Sequence, residues 1–264
     1  MTEITSLLDA AHAAVHADPE NESLRLRFFE RLADGEMFLL LDREAQGETL
    51  EPRVFDLEDG RFVLVFDREE RLASFSGGIA PYAALPGRVI AGLLKGQGIG
   101  LGVNLGVAPS EMLLPPEAMD WLAETLEESP EEVEALPEQF HPPKGLPEAL
   151  ISALDAKLAR AAGLASGALL AAVTYRGGRR GHMLAFLDAA PGSEAPLARA
   201  ASEALVFSGI EAGEIDVAFL HGNDPAMVAM ARVALRFDLP MPEQPSPTAG
   251  AAPGMDPKRP PRLV

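Results

Sequence analysis

Lys95-Gly96-Gln97-Gly98-Ile99-Gly100-Leu101-Gly102-Val103-Asn104-Leu105-Gly106 carries five glycines in twelve residues, and its reading decides how the first half of the chain folds. A phosphate loop of the form G-x-x-x-x-G-K-[ST] needs a lysine and a hydroxyl directly after its glycines. Here Lys95 precedes the glycines, and no Ser or Thr follows them. The dinucleotide fingerprint G-x-G-x-x-G follows a strand and opens a helix. Gly98, Gly100 and Gly102 have a different spacing, the residues before them are helical in pattern, and Ala108-Pro109 opens no long helix. Alternation places Gly98, Gly100 and Gly102 on one face of a strand and Ile99, Leu101 and Val103 on the other. The stretch therefore reads as a strand and turn whose bare face lets a backbone or a bulky side chain lie close.

Working outward, residues 3–17 are helical in period, with Ile4, Leu7, Leu8, Ala11 and Val15 on one face, and Asp18-Pro19 ends them. A second helix carries Leu24, Phe28 and Leu32, with Gly35 as its cap. Met37–Leu41 is a buried strand by composition. Val54–Leu57 and Arg61–Phe66 flank Glu58-Asp59-Gly60, a strong hairpin signal. Asp67 and Glu70 have capping-box spacing ahead of a short helix bearing Leu72 and Phe75, which Ser76-Gly77-Gly78 ends. Pro86–Lys95 reads as a helix with Val89, Ile90, Leu93 and Leu94 buried. Pro115-Pro116-Glu117 opens another, bearing Met119, Leu122 and Leu126 with Trp121 on a neighbouring face.

Prolines 130, 137, 142, 143 and 147 mark a linker, since such a run neither continues a helix nor occupies a central strand. Beyond it come a helix with Leu146, Leu150, Leu154 and Leu158 in line, then strands Ala168–Tyr175 and His182–Leu187 around an Arg176–Gly181 turn. A helix at Pro196–Phe207, a strand at Ile215–Leu220 and a helix at Pro225–Leu235 follow. The order α-β-β-α-β-α suggests helices over one sheet face. From Pro240 there are eight prolines in 25 residues, the composition of a disordered tail. The fold class expected is α+β: two small α/β-sandwich-like domains, residues 1–128 and 146–238, a proline-rich linker at 129–145, and a disordered tail at 239–264.

The net charge of −18 is uneven: residues 1–144 hold 28 acidic and 11 basic side chains, residues 145–264 hold 12 and 11. An acidic first half repels phosphate backbones, so no nucleic-acid partner is expected. The absence of cysteine removes disulfides, thiolate catalysis and Cys-based metal sites. No basic leader or apolar run of membrane-spanning length is visible, so a cytoplasmic location with no membrane association is expected.

Candidates for chemistry are sparse. His12 and His16 are an i, i+4 pair, but Ala13 stands where H-E-x-x-H needs Glu, and they read as exposed helix residues. Ser110, Ser166 and Ser208 have no nucleophile-elbow context. No catalytic residue, cofactor site or metal site is assigned. Six residues stand out as interaction or ligand candidates. Asp216 lies within an apolar strand, either as a site or as an edge-strand charge that discourages pairing. His182 starts a strand and His221 ends one, which places each at a sheet rim. Arg176, Arg179 and Arg180 cluster in a glycine-bearing turn, as an anion site, a solvated tip, or a dock for the acidic half, where residues 111–138 hold ten acids and no Lys or Arg.

In the order of its features, the chain resembles the SseB family, the enhanced serine sensitivity proteins. Phe28-Phe29 with Leu32, the Met37–Leu41 strand, the Val54–Phe66 hairpin, the Asp67–Leu72 turn, the glycine strand leading to Asn104-Leu105-Gly106, and Leu114-Pro115-Pro116-Glu117 are similar to that family's N-terminal domain. Leu105 stands where the family typically has proline. Leu146–Leu150 through Ile215-Asp216-Val217 is similar to its C-terminal domain. The resemblance implies a two-domain protein with a serine-sensitivity phenotype, or a secretion-associated role carried by the domain name, and brings no catalytic residues. The expectation is a non-enzymatic interaction or regulatory module with a protein partner. The alternative is a small-ligand binder or enzyme with its site between the domains.

Overall fold

The computed structural model describes residues 5–45, 47, 49–127, 137–209 and 215–240. Most of the expected linker (129–136) and the tail from 241 lie outside them. The described residues form two mixed sheets with helices packed on them, an α+β architecture.

The first half begins with α1 (Leu7–Ala17) and α2 (Glu22–Asp34). Ser6 and Asp9 cap α1 reciprocally, and the Asn21 side chain accepts from Leu24 N at the start of α2. Strands β1 (Glu36–Leu40), β2 (Val54–Leu57) and β3 (Gly60–Phe66) follow, with the hairpin turning at Asp59-Gly60 as expected. Then come α3 (Glu69–Ser76), β4 (Tyr82–Pro86), α4 (Gly87–Leu94), β5 (Gly100–Val103), β6 (Met112–Leu114) and α5 (Pro116–Glu127). The sheet order is β4-β1-β3-β5-β6, with β2 also pairing β3, and β3 and β5 run parallel. Helices α1, α2, α4 and α5 cover one face through Leu8, Phe28, Leu32, Ile90, Met119 and Leu122, packed on Val63, Val65, Leu101 and Val103. Among the described helices α3 alone lies on the other face, where Leu72 covers Leu40, Leu64 and Phe66, with Ala80, Leu105 and Val107 packed beside it.

Several local expectations are corrected. Strand β4 is an addition to the expected elements: Tyr82-Ala83-Ala84-Leu85-Pro86 has no apolar–polar alternation to reveal it. Arg68, not Asp67, occupies the N-cap of α3 and makes no side-chain cap. Val89 and Leu93 of α4 are exposed, and its buried face is Ile90, Ala91 and Leu94. Gly87 opens α4 where a Cβ would come 1.9 Å from the Leu32 carbonyl oxygen, so that turn lies directly on the backbone of α2.

The glycine stretch is shorter as a strand than its alternation suggests. Gly98 has φ +63° and belongs to the preceding turn. Gly100 and Gly102 face the α3 side, and protein atoms fill their bare face. A Cβ on Gly100 would meet the Phe62 ring at 2.5 Å and the Leu114 carbonyl oxygen at 2.6 Å, and one on Gly102 would meet Leu64 at 2.5 Å. Gly100→Ala is expected to destabilise the protein by about 1–3 kcal/mol, since a backbone oxygen cannot yield as a side chain does. A urea midpoint equal to the parent's would overturn this packing account.

The second half contains β7 (Pro137–His141), α6 (Glu148–Leu158), β8 (Gly167–Tyr175), β9 (Arg180–Leu187), α7 (Glu194–Phe207), β10 (Ile215–Leu220), α8 (Pro225–Met230) and β11 (Leu235–Phe237). The sheet order is β10-β9-β8-β11, with β7 also on β8, and β9 and β10 run parallel in register from His182↔Ile215 to Leu187↔Leu220. Alternation along β8 sends Leu170 to a core under α6 and α7, and Leu169, Ala171 and Val173 to a second core with Met230 of α8. Helices therefore lie on both faces, not one. The last helix is shorter than expected, and Leu235 begins a strand. Residues 137–141 of the expected linker join the second sheet at an unpaired edge, where proline is tolerated. Leu239 and Pro240, expected in the tail, belong to the folded part: Leu239 is buried, and Gly163 N donates to the Pro240 carbonyl oxygen.

Candidate functional site

The six sequence candidates occupy two ends of the second sheet. At one end the Arg179 guanidinium lies 4.1 Å from the Tyr175 ring centroid and donates to Asp216 at 2.9 Å. The Tyr175 hydroxyl also donates to Asp216. Burial pushes the Tyr175 phenol above its ordinary value, and its hydrogen bond to Asp216 and that carboxylate's charge add to the shift. β10 is the outer strand, so Asp216 is an edge-strand acid held by two partners from its own domain. His182 Nε2 lies 3.2 Å from the Lys144 carbonyl oxygen. Arg176 and Arg180 are exposed and make no ion pair among the described residues. His221 stands at the other end of β10, about 16 Å of strand from Asp216, with its Nδ1 3.8 Å from Asp188. Two open grooves of about 440 and 400 Å³ are lined by β7 with α8, and by Pro143, Leu146, Ile151 and Leu235. None of the six candidates lines either groove.

The expected docking of the arginine turn on the acidic half is not what joins the two halves among the described residues. Arg179 is spent on Asp216 within its own sheet. The joint is made by α2 against α7 and by a charged cluster that the sequence reading missed. Lys157 Nζ lies 2.9 Å from Asp34 and 2.8 Å from Glu203, with all three side chains buried. Arg88 spans Asp34 at 2.5 Å and Glu203 at 3.0 Å, and Arg160 reaches Asp34 at 3.0 Å. Burial opposes ionisation of Asp34, but the charge and hydrogen bond of Lys157, with Arg88, hold its carboxyl below the usual value. Glu30 beside them is shifted upward, chiefly by burial. Phe207 at the end of α7 enters the first core and meets Trp121 edge-on at 6.5 Å.

A second buried network fixes the exit of the glycine strand. Asn104, at φ +48°, accepts from Asp67 N and donates to Ser110, which donates to Asp9 at 2.5 Å. Arg71 grips Asp9 at 2.9 and 2.6 Å and Asp67 at 2.8 Å. Burial alone would raise the Asp9 carboxyl, but the bonds from Arg71, Ser110 and Ser6 outweigh it and hold the group well below its ordinary value. These groups are sealed from solvent, and their role is to pin α1, α3 and the loop after β5.

The feature that faces outward is the α3 side of the first sheet. An eight-residue helix is about 12 Å long, whereas the five strand positions β4-β1-β3-β5-β6, at about 4.8 Å spacing, span roughly 19 Å. Part of that face therefore stays open. The rings on it form two groups: Phe38 meets Tyr82 at 5.5 Å, and Phe75 meets Phe55 at 6.3 Å and Phe66 at 5.3 Å. Tyr82 and Phe75 are each 37 % exposed, and Ile79, directly after the positive-φ glycines Gly77 and Gly78, is fully exposed at 108 %. Arg53 lies over the Phe55 ring at 5.2 Å. The Glu69 carboxylate, accepting from the Tyr82 hydroxyl, holds that phenol above its ordinary value, and the Glu36 charge adds to this. The available sequence signal was the glycine pair followed by an unmatched isoleucine. Among the described residues, no three histidine or acidic side chains are grouped to hold a metal, and no helix is long and apolar enough to cross a membrane.

No family model, curated protein or solved structure matches this chain.

Proposed function

We propose that the chain is a two-domain protein-interaction or regulatory module of the SseB type, non-enzymatic and cytoplasmic, with a link to serine sensitivity. The observation that carries the interaction reading is the open aromatic face around Phe55, Phe75, Ile79 and Tyr82. Contiguous exposed apolar surface of this kind marks a contact site for another polypeptide, whereas single exposed apolar residues do not. Tyr82 suits such a site because it offers a large apolar ring together with a hydroxyl. The SseB reading is supported by the sequence features in which the chain resembles that family.

The test is affinity capture from native cytosol with the full chain and with an Ile79→Ser/Tyr82→Ser variant. A reproducible partner retained by the parent and lost by the variant is expected. Equal recovery by both, or nothing reproducible with either, ends the reading.

A further inference from the structure

We propose that the proline-rich cationic segment Pro257–Arg262 of this same chain docks on the aromatic face of Phe55, Phe75, Ile79 and Tyr82 and shields it from other partners. This rests on the reading of that face as an interaction surface, and it names the occupant and the regulation.

Three observations converge on this segment. The first is its pattern. Pro257-Lys258-Arg259-Pro260-Pro261-Arg262 contains a P-x-x-P unit. A polyproline II helix repeats every three residues, so Pro257 and Pro260 fall on one edge and Arg259 and Arg262 on another. Aromatic-lined surfaces bind such edges because the proline helix is already extended and little chain entropy is lost.

The second is charge. The face is flanked by acids on the elements that build it: Glu36 at the start of β1, and Glu69 and Glu70 on α3. Of the nearby cations, Arg53 is already seated on Phe55 and Arg71 is buried on Asp9 and Asp67, which leaves Arg68 at the start of α3. The domain that carries the face holds most of the chain's negative charge, while Lys258, Arg259 and Arg262 fall within five residues of sequence with no acid among them. Prolines meet the rings, and the guanidinium groups meet the carboxylates.

The third is reach. Pro240 is tied to Gly163 by a backbone hydrogen bond at 3.1 Å. The sixteen residues from Met241 to Asp256 span up to about 55 Å when extended. A linker that spans the distance to its site gives the tethered segment an effective concentration of about 1 mM. An intrinsic dissociation constant of about 0.1 mM then keeps the face roughly nine-tenths covered and weakens a competing partner about tenfold.

The experiment has a trans arm and a cis arm. In trans, a labelled synthetic peptide of residues 253–264 is titrated by fluorescence anisotropy at low salt. The hosts are the full chain and a full chain carrying Lys258→Glu, Arg259→Glu and Arg262→Glu. Saturable binding to the charge-reversed chain is expected, about tenfold weaker binding to the parent, and loss of binding when Ile79→Ser and Tyr82→Ser are added. In cis, a nitroxide on Leu263→Cys is unambiguous because the chain has no other cysteine. It is expected to broaden the Ile79 methyl resonance in the parent tail and not in the charge-reversed one. No saturable peptide binding together with no broadening overturns the proposal. So does self-association that Ile79→Ser abolishes, which would give the face to a second copy. If the nitroxide leaves Ile79 untouched while a cytosolic partner is still captured through Ile79 and Tyr82, the tail is rejected and the interaction surface stands.

Discussion

Arg71→Met is expected to cost about 3–5 kcal/mol of stability, because it leaves the carboxylates of Asp9 and Asp67 buried without their cation. Arg71 and Asp9 are 6 % and 5 % exposed, so solvent cannot replace the guanidinium. A domain of this kind has only about 5–15 kcal/mol in total. The loss would appear as a large drop in urea midpoint at nearly constant slope. Its pH dependence separates this account from simple loss of packing. In the parent, the folded Asp9 carboxyl titrates below its unfolded value of about 3.9. Its contribution is therefore fully present above about pH 4 and is lost as pH falls further through the folded value. In the variant the buried, unpaired carboxyl is shifted upward, so the folded state gains on acidification from neutrality. The gap between parent and variant should narrow as pH falls through about 4. A gap independent of pH would mean that the guanidinium contributes only its packing. Asp9→Asn added to Arg71→Met should recover part of the loss, since no charge then remains at that position.

Lys157→Met is expected to cost about 3 kcal/mol, at the lower end of what breaking a buried pair costs. The reason for the lower figure is that Arg88 and Arg160 still reach the two acids from the rim. The distinctive outcome concerns coupling between the halves. Asp34 and Arg88 belong to the first half, and Lys157, Arg160 and Glu203 to the second. With Lys157 gone, the buried acids of α2 and α7 face each other with less compensation, exactly where those helices meet. Calorimetry of the parent should show one concerted transition, and that of Lys157→Met two separated ones. Lys157→Arg should restore part of the coupling, whereas Met keeps the volume without the charge. A single unshifted transition in Lys157→Met would show that Arg88, Arg160 and the Phe207 contact join the halves without Lys157.

The two networks mark where local sequence stops being informative. Arg71 and Asp9 are 62 residues apart, and Ser110 and Asp9 101. The cross-domain bonds Arg88–Glu203 and Lys157–Asp34 span 115 and 123 residues. Read along the chain, each charged member is one polar residue on an amphipathic helix, and Ser110 is a loop serine. Nothing within a helical turn reports that another helix will cover it. Asp216 is the opposite case. Its place in an apolar strand was conspicuous in sequence, and it proved to be an edge-strand acid with Tyr175 and Arg179 as partners. The exposed face was harder to see than either, because Ile79 and Tyr82 lie around Pro81, outside any clear period.

What the sequence determined by itself was everything set by nearest neighbours. The alternation of Val63 to Phe66, the Asp59-Gly60 turn, the helical period of Phe28 and Leu32 and the spacing of Gly100 and Gly102 each constrain backbone geometry within a few residues. They fixed a strand at the glycine stretch and excluded a phosphate loop there. Tertiary structure decided which faces those elements share: that Phe62 and Leu64 fill the space beside the glycines, that Lys157 lies between two acids from different halves, and that a helix of only eight residues leaves the ring of Tyr82 open to solvent. The physical reason is that local geometry follows from sterics and hydrogen bonding over one turn or one strand pair, whereas burial is a property of surfaces brought together from distant parts of the chain.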